Sequence, residues 1–587
     1  MAKPKSTGVA LELKNSIYEF GPFHLDAGKR LLVRDGQAVH LKPKIFDLLL
    51  IMVESEGDLL TKEHLIEQLW PDQYVEDGNL TVSVFSLRKA LGIAETEKRY
   101  IETVPKRGYR FNSPVRKLAA KQHESKRVKS LAVLPLSLIG TELSDEYLGL
   151  GFADALITRL SRLKQIHVRP TSAVRLYVGE KPRPVVIGRN IDVDFVLEGN
   201  IRKIGERLRV TMQLVDVRDG ITLWADKFDE SATDIFVMED SISQQVVRSL
   251  TLELTKTEAG HLSKQHTTDP DAYIAYMKGR FLWTKKTPEA LHKSTEYFEH
   301  AISSDPEYAQ PYAGLADCYI YLGNLEFLPV KLAYAKAEQA VIQALKRDSD
   351  LAEAHATLGL LKISNGWDWR GAEQEFERAL ETNVSYPQTH QWRAVCFRHQ
   401  GRFAEALVEI DRAQQLDPAS ATITTTRAVI FYYLRRYDEA LRELERALEL
   451  DPNYPIAHFM KGLIYTQVER YDDAISELGT VTRIFGITGP EFTSHLAYVY
   501  ALARRTDEAE KILNNLLARA ETEYVAPYHL APIYVALGDS ERALSYLELG
   551  FRERDMEMAQ LKVDPRLDPL RSDPRFGRLL IDIGLTD

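Results

Sequence analysis

The chain has 587 residues, 44% hydrophobic and 27% charged, a globular balance with enough apolar mass for two to four separate cores. Its formal net charge of −10 excludes nucleic-acid binding by the chain as a whole, so any such binding has to be local. Only two cysteines occur, Cys318 and Cys396, which excludes a disulfide scaffold; both fall on apolar helical faces, as packed thiols of a reducing compartment do.

The opening MAKPKSTGVALELKNS lacks the apolar core of a signal peptide, and no stretch nears the roughly 18 apolar residues that a spanning helix requires. A cytoplasmic protein with no membrane contact is expected. From residue 15, alternating segments around YEFGPFHLD and RLLVRDGQAVHL, with an Asp35-Gly36 turn, predict a small antiparallel sheet. A helix follows from about Pro43, with Ile45, Leu48, Leu49 and Met52 on one face. Thr61 then caps a second helix that buries Leu65, Ile66 and Leu69, and Pro71 ends it.

The next helix, DGNLTVSVFSLRKALG, places Leu80, Val84, Leu87 and Leu91 on one stripe facing a core. Its other side offers Val82, Phe85, Ser86 and Lys89, with Asn79, Thr81, Ser83 and Arg88 nearby. Small, polar and cationic groups opposite an apolar stripe suit a helix seated in a DNA major groove. The following RYIETVPKRGYRF predicts a hairpin that turns Lys106, Arg107 and Arg110, around Gly108 and Tyr109, toward phosphates or a minor groove. Between Lys98 and Lys129 eleven Lys or Arg face two acids, so the local positive charge that DNA binding needs is present.

The words LKPKIFDLLL, LTKEHLIEQLWPD, VEDGNLTVSVFSLRKALG and YIETVPKRGYRF together resemble the winged helix-turn-helix of OmpR/PhoB-type transcriptional regulators, over residues 15–113. The resemblance implies that Thr81, Val82, Phe85, Ser86, Arg88 and Lys89 lie at the DNA, and that Lys106, Arg107 and Tyr109 touch backbone or minor groove. Groove positions often held by arginine in that family are here Gly78, Phe85 and Ser86, so the expectation is either modest base specificity or specificity resting on apolar contact and half-site spacing. In related proteins the 71–77 loop contacts RNA polymerase and tandem half-sites are usual, which makes polymerase a partner and a homodimer on DNA an expectation.

A basic linker at 114–129 stands where membrane-bound relatives carry a spanning helix. In 130–258, SLAVLPL reads as a buried strand and YLGLGFADALITRLSRLKQI as an amphipathic helix. DFVLEGNIRK, RLRVTMQLVDV and TLWADKFDE read as later hairpin strands, together predicting a small mixed α/β sandwich. This order resembles the TolB N-terminal-like (FlgO-like) domain. Gly149-x-Gly151 lacks the third glycine of a dinucleotide fingerprint and the Gly-Lys-Ser/Thr of a phosphate loop, so a tight turn into the helix is expected there. Asp145, Glu146, Asp192 and Asp194 lack metal-ligand spacing.

From 267 to 587 the chain repeats every 34 residues: Ala372, Ala406, Ala440 and Ala474, then Ala509 and Ala543, with Asp-Pro pairs ending second helices. This is similar to the tetratricopeptide repeat (TPR), with about eight units and a capping tail. A concave surface from the first helices is expected to take a protein or peptide partner through Tyr312, His355, His390, Arg393, Arg427, His458 and Lys461. Histidines some 34 residues apart do not converge on a metal.

The fold expected is multidomain α+β: an N-terminal winged helix, a central small α/β sandwich and a C-terminal all-α TPR superhelix. The architecture resembles CadC/HilA-like regulators without a transmembrane helix. Too few residues precede residue 15 for a receiver domain. With no paired carboxylates, nucleophile-base arrangement or metal motif, neither a catalytic site nor a cofactor is expected. The function expected is a one-component regulator that binds double-stranded promoter DNA, its other modules binding the partner or ligand that sets activity. The other reading is a TPR scaffold whose winged helix, through Phe85, has become a protein-binding module.

Overall fold

The computed structural model describes residues 17–586 except 27–30, 35–36, 40, 42, 56, 71–76, 92–99, 106, 119–127, 141–145, 179–182, 205–206, 232–234, 253, 264–266, 286, 326 and 486–488. The chain divides into two units, 1–127 and 128–587.

In the first unit, β1 (Ile17–Phe20), β2 (Phe23–Asp26), β3 (Leu31–Arg34) and β4 (Gln37–Val39) form a meander that a later strand extends. Helix α1 (Pro43–Glu54), strand β5 (Leu59–Thr61), α2 (Lys62–Leu69) and α3 (Asp77–Ala90) follow. Then come β6 (Ile101–Val104), β7 (Gly108–Phe111) and β8 (Arg116–Leu118). The five-stranded sheet runs β4-β3-β2-β1-β8 and the three-stranded one β5-β7-β6, all pairings antiparallel. YEFGPFHLD is therefore a hairpin in itself, turning at Gly21 with φ 54°. The Asp35-Gly36 turn lies outside the described residues. Residues 116–118, read as linker, pair with β1, because Arg116 to Leu118 continue the ladder opposite Glu19 to Ile17. Phe20, Phe23, Tyr100 and Phe111 pack edge-on or stacked at 5.2–6.4 Å between centroids, binding this sheet to the hairpin that follows α3.

The second unit begins with β9 (Lys129–Val133), β10 (Ser137–Leu138), α4 (Tyr147–Leu160), β11 (Ile166–Val168), α5 (Thr171–Val174) and α6 (Pro184–Asn190). Strands β12 (Phe195–Ile204), β13 (Arg207–Asp216) and β14 (Thr222–Ser231) and helices α7 (Ile235–Ser249) and α8 (Lys256–Ser263) complete the module. The sheet is mixed: β11, β9 and β12 are parallel, β12, β13 and β14 antiparallel, and β10 pairs with β12. Apolar residues alternate inward along β13, from Leu208 through Val210 and Met212 to Leu214, as a half-buried strand requires. Gly149 and Gly151 lie inside α4 rather than at a turn before it. A Cβ on Gly149 would stand 2.3 Å from the Leu136 carbonyl oxygen, and one on Gly151 2.8 Å from the Met277 methyl, so the glycines serve close packing.

Eight antiparallel helix pairs follow among the described residues. They are α9–α10 (Pro270–Trp283, Pro288–Ser304), α11–α12 (Ala309–Asn324, Val330–Arg347), α13–α14 (Ala352–Gly366, Trp369–Thr382) and α15–α16 (Pro387–His399, Phe403–Leu416). Next come α17–α18 (Ala421–Tyr433, Tyr437–Leu450), α19–α20 (Pro455–Gln467, Tyr471–Phe485), α21–α22 (Pro490–Leu502, Thr506–Arg519) and α23–α24 (Pro527–Ala536, Ser540–Arg552). The periodic alanines 372, 406, 440, 474, 509 and 543 are fully buried, since only a methyl fits where paired helices cross. The tail, ending in α25 (Pro574–Asp582), folds back on the array: Trp369 Nε1 donates to the Ile583 carbonyl at 2.8 Å. The central module's core runs without a break into the first repeat through Ala272, Tyr273, Met277 and Tyr308. Further round, Asn383 donates to Ser161 at 3.1 Å, Arg169 to the Leu416 carbonyl at 3.1 Å, and Ser172 to Asp417. Module and repeats are thus one packed body. Among the described residues no helix is long and apolar enough to cross a membrane.

Candidate nucleic-acid interface and repeat groove

Helix α3 divides its residues sharply. Leu80, Val84, Leu87 and Leu91 are at most 2% exposed, while Val82 and Phe85 are 64% and 69% exposed. These two apolar side chains lie beside each other on the solvent face of the helix. Asn79, Thr81 and Lys89 are exposed around them, and Ser86 is half-buried, its hydroxyl donating back to the Val82 carbonyl at 2.9 Å. Arg88 is not free to scan a groove. Its guanidinium donates to the Ile101 carbonyl at 3.0 Å and the Thr103 hydroxyl at 2.7 Å, so it struts α3 against the hairpin.

Two residues expected at DNA are withdrawn. Ser83 is buried and its hydroxyl donates to the Asn79 carbonyl at 2.9 Å, because its position adjoins the Leu80–Val84 stripe. Tyr109 is 5% exposed, because β7 turns it inward with Phe111 and leaves Arg110 outward, as strand alternation demands. Arg107 is exposed at the β6–β7 turn, and Lys106 lies outside the described residues, as does the 71–76 loop. Gly108 follows with its Cα so close to β5 that a Cβ would stand 1.9 Å from the Leu60 carbonyl oxygen. That approach joins the hairpin to the sheet beside α2.

The repeat-groove residues are placed otherwise than expected. His355, His390 and His458 each bring Nδ1 to 2.7 Å from Glu375, Glu409 and Glu477 of the paired helix. Arg393, Arg427 and Lys461 bind Glu409, Glu443 and Glu477 at 3.2, 3.4 and 2.6 Å. These glutamates are themselves 34 residues apart, so the cations and histidines form a ladder that clamps first helix to second within each pair. Tyr312 donates to the Pro306 carbonyl at 3.2 Å and lies 4.4 Å under the Arg347 guanidinium. None of the seven lines the large interior cavity. That cavity, of about 1070 Å³, is walled by neighbouring positions such as Gln391 and Phe459, one residue on from His390 and His458, and Gln310, two before Tyr312. For six of the seven, all but Tyr312, the expected partner groove is therefore corrected to an intra-repeat ion-pair ladder.

Burial explains the perturbed groups around the cavity. Asp417 and Asp555 are pushed up to about 6 by burial, and His529 is held down to about 3 by burial and by Arg566. Buried Asp564 stays below the usual carboxylate range despite burial, because Arg566 binds it at 2.6 Å. Among the described residues, no three His, Cys, Asp or Glu side chains are grouped to hold a metal ion.

Three family profiles match the chain. "Transcriptional regulatory protein, C terminal" covers residues 36–111, "HilA/YgeH-like transcriptional regulator, second domain" covers 126–247, and "Tetratricopeptide repeat" covers 368–421 and 425–485. Among curated relatives, "Transcriptional regulator HilA" of Salmonella typhimurium is 24% identical over 419 residues, 70% of this chain and 73% of that one. "Putative adenylate cyclase 3" of Rhizobium meliloti is 26% identical over 286 residues, 47% of this chain and 41% of that one. "Transcriptional activator CadC" of Escherichia coli is 31% identical over 110 residues, 19% of this chain and 22% of that one. The chain has the domain composition of a transcriptional regulator with an OmpR-like DNA-binding domain.

Proposed function

We propose that this chain, which joins an OmpR/PhoB-type winged helix to a HilA/YgeH-like domain and tetratricopeptide repeats, is a one-component transcriptional regulator acting without catalysis in the cytoplasm. The observation that carries the reading is the exposed face of α3, with Val82 and Phe85 beside Asn79, Thr81 and Lys89, braced by Arg88 against a hairpin whose turn presents Arg107. Apolar side chains at this spacing suit thymine methyls, Asn79 and Thr81 suit base edges, and Lys89 and Arg107 suit phosphates. The second unit binds the molecule that sets activity. RNA polymerase meets the 71–77 loop, and two copies occupy adjoining half-sites. The same Phe85 exposure also fits a protein partner, which is the second reading.

Gel retardation with the purified full chain and promoter-region duplexes separates the two. The regulator reading predicts retention at low salt, reduced in Lys89→Ala and weakened steeply as salt rises. Absence of retention by the folded chain rejects it in favour of protein binding.

A further inference from the structure

The interior cavity of the second unit is walled by three parts of the chain. Helix α4 and the residues after β11 contribute Asp154, Thr171 and Arg175; the repeats contribute first-helix positions; the tail contributes Asp555, Glu557 and Arg566. At about 1070 Å³ it is large enough for a drug-sized molecule. Its lining is chemically biased. Nine Asp or Glu face five Lys or Arg, and twelve aromatic rings line the walls.

The acids and rings meet at one corner. Asp317 and Glu353 act together on the phenols of Tyr276 and Tyr386, whose ionisation burial and these carboxylates disfavour. Arg280 at this corner is already bound to Asp154 at 3.0 Å, and burial has not removed its charge. Asp317 accepts the Thr357 hydroxyl at 3.2 Å, a neutral donor, so the acids at this corner still carry more charge than Arg280 balances. Glu353 Oε2 is buried without a hydrogen-bond partner among the described residues, and so are both polar atoms of Gln310, which is 6% exposed. Each such group is unfavourable to bury until something bonds it. Glu375, Glu409 and Glu477, on second helices, meet histidine or a cation, whereas Glu353 stands on the first helix α13. Glu353 Oε2 meets none.

We propose that this cavity is the site of the controlling ligand, and that the ligand is an organic amine with an apolar body, its ammonium held by Glu353 and Asp317 between the Tyr276 and Tyr386 rings. The assignment rests on the regulator reading only in calling the ligand controlling. An ammonium supplies the donors that Glu353 Oε2 and the Gln310 carbonyl oxygen lack, and the negative faces of aromatic rings attract a cation. An apolar body fits the remaining rings. The central module, the repeats and the tail all line the cavity, so a bound ligand contacts all three.

Calorimetric titration of the full chain tests this with tyramine, tryptamine and spermidine against 4-hydroxyphenylacetate and indole-3-acetate, which carry matching rings and the opposite charge. The proposal predicts saturable binding of at least one amine, none of the acids, and about tenfold or greater weakening in both Glu353→Gln and Asp317→Asn. A thermal melt checks that both variants fold; if one fails, the other decides. No binding by any of the three amines, equal binding of the acids, or unchanged affinity in the folded variants overturns it. Gel retardation on the same preparations keeps the outcomes apart: DNA retention without amine binding rejects the ligand site alone, and amine binding without DNA retention rejects the regulator reading alone.

Discussion

Glu239 tests how the central module is fixed to the repeats. It sits on α7, 4% exposed, and accepts the hydroxyl of Tyr273 on α9. Burial pushes its carboxyl from 4.5 up to about 7, while the Tyr273 hydroxyl and Arg159 hold it down and Asp240 adds to the rise. Between those values the folded chain retains a proton that the unfolded chain has released. Stability therefore falls as pH rises from 4.5 to about 7 and levels off above. At about 1.4 kcal/mol per pH unit, ionised Glu239 costs about 3 kcal/mol at pH 8. Glu239→Gln keeps an acceptor for Tyr273 and removes the charge. Asp417 and Asp555, pushed up to about 6, move stability the same way as Glu239, and His529, held down to about 3, opposes them. All three are common to both proteins, so the difference between them isolates Glu239. Amide hydrogen exchange over Ile235–Ser249 and Pro270–Trp283 reads the local opening free energy. Protection in E239Q should exceed wild type on the order of 10²-fold at pH 8, and match it near pH 4. A difference that does not change with pH, or greater protection in the wild type at pH 8, refutes the argument.

Three further outcomes are expected. Arg107→Ala should weaken binding to all duplexes alike and reduce the slope of log affinity against log salt by about 1, read by fluorescence anisotropy. Gly108→Ala drives a Cβ into the Leu60 carbonyl and should destabilise the first unit by more than about 2 kcal/mol in urea unfolding, whereas Gly78→Ala, with open space around it, should not. Glu477→Ala leaves His458 and Lys461 without their shared carboxylate and should cost about 1–3 kcal/mol by local hydrogen exchange in α19 and α20.

The α3 stripe was legible because a 3.6-residue period names the buried face directly, and Leu80, Val84, Leu87 and Leu91 are indeed core. The repeats were legible because a buried methyl has to recur wherever paired helices cross. Finer placements were not. Ser83 lies one residue from a stripe position, and a single step of about 100° decides burial. Strand alternation in GYRF, with Arg110 necessarily outward, already implied that Tyr109 faces inward. The groove residues failed for a related reason: polarity on a first helix shows that a side chain avoids the core, but not that solvent receives it. The 34-residue spacing of Glu375, Glu409, Glu443 and Glu477 was the available signal that histidine and arginine were already partnered. Cavity walls drawn from three distant segments leave no local trace in a sequence.

Genome-wide mapping of binding by the intact chain, alongside a Val82→Asp/Phe85→Asp double variant, addresses the central claim most directly. Both side chains are solvent-facing, so the variant keeps its core. Discrete sites near promoters for the native protein, absent for the folded variant, are the predicted result. No sites for the native protein, or the same sites for both, contradict a DNA-reading α3.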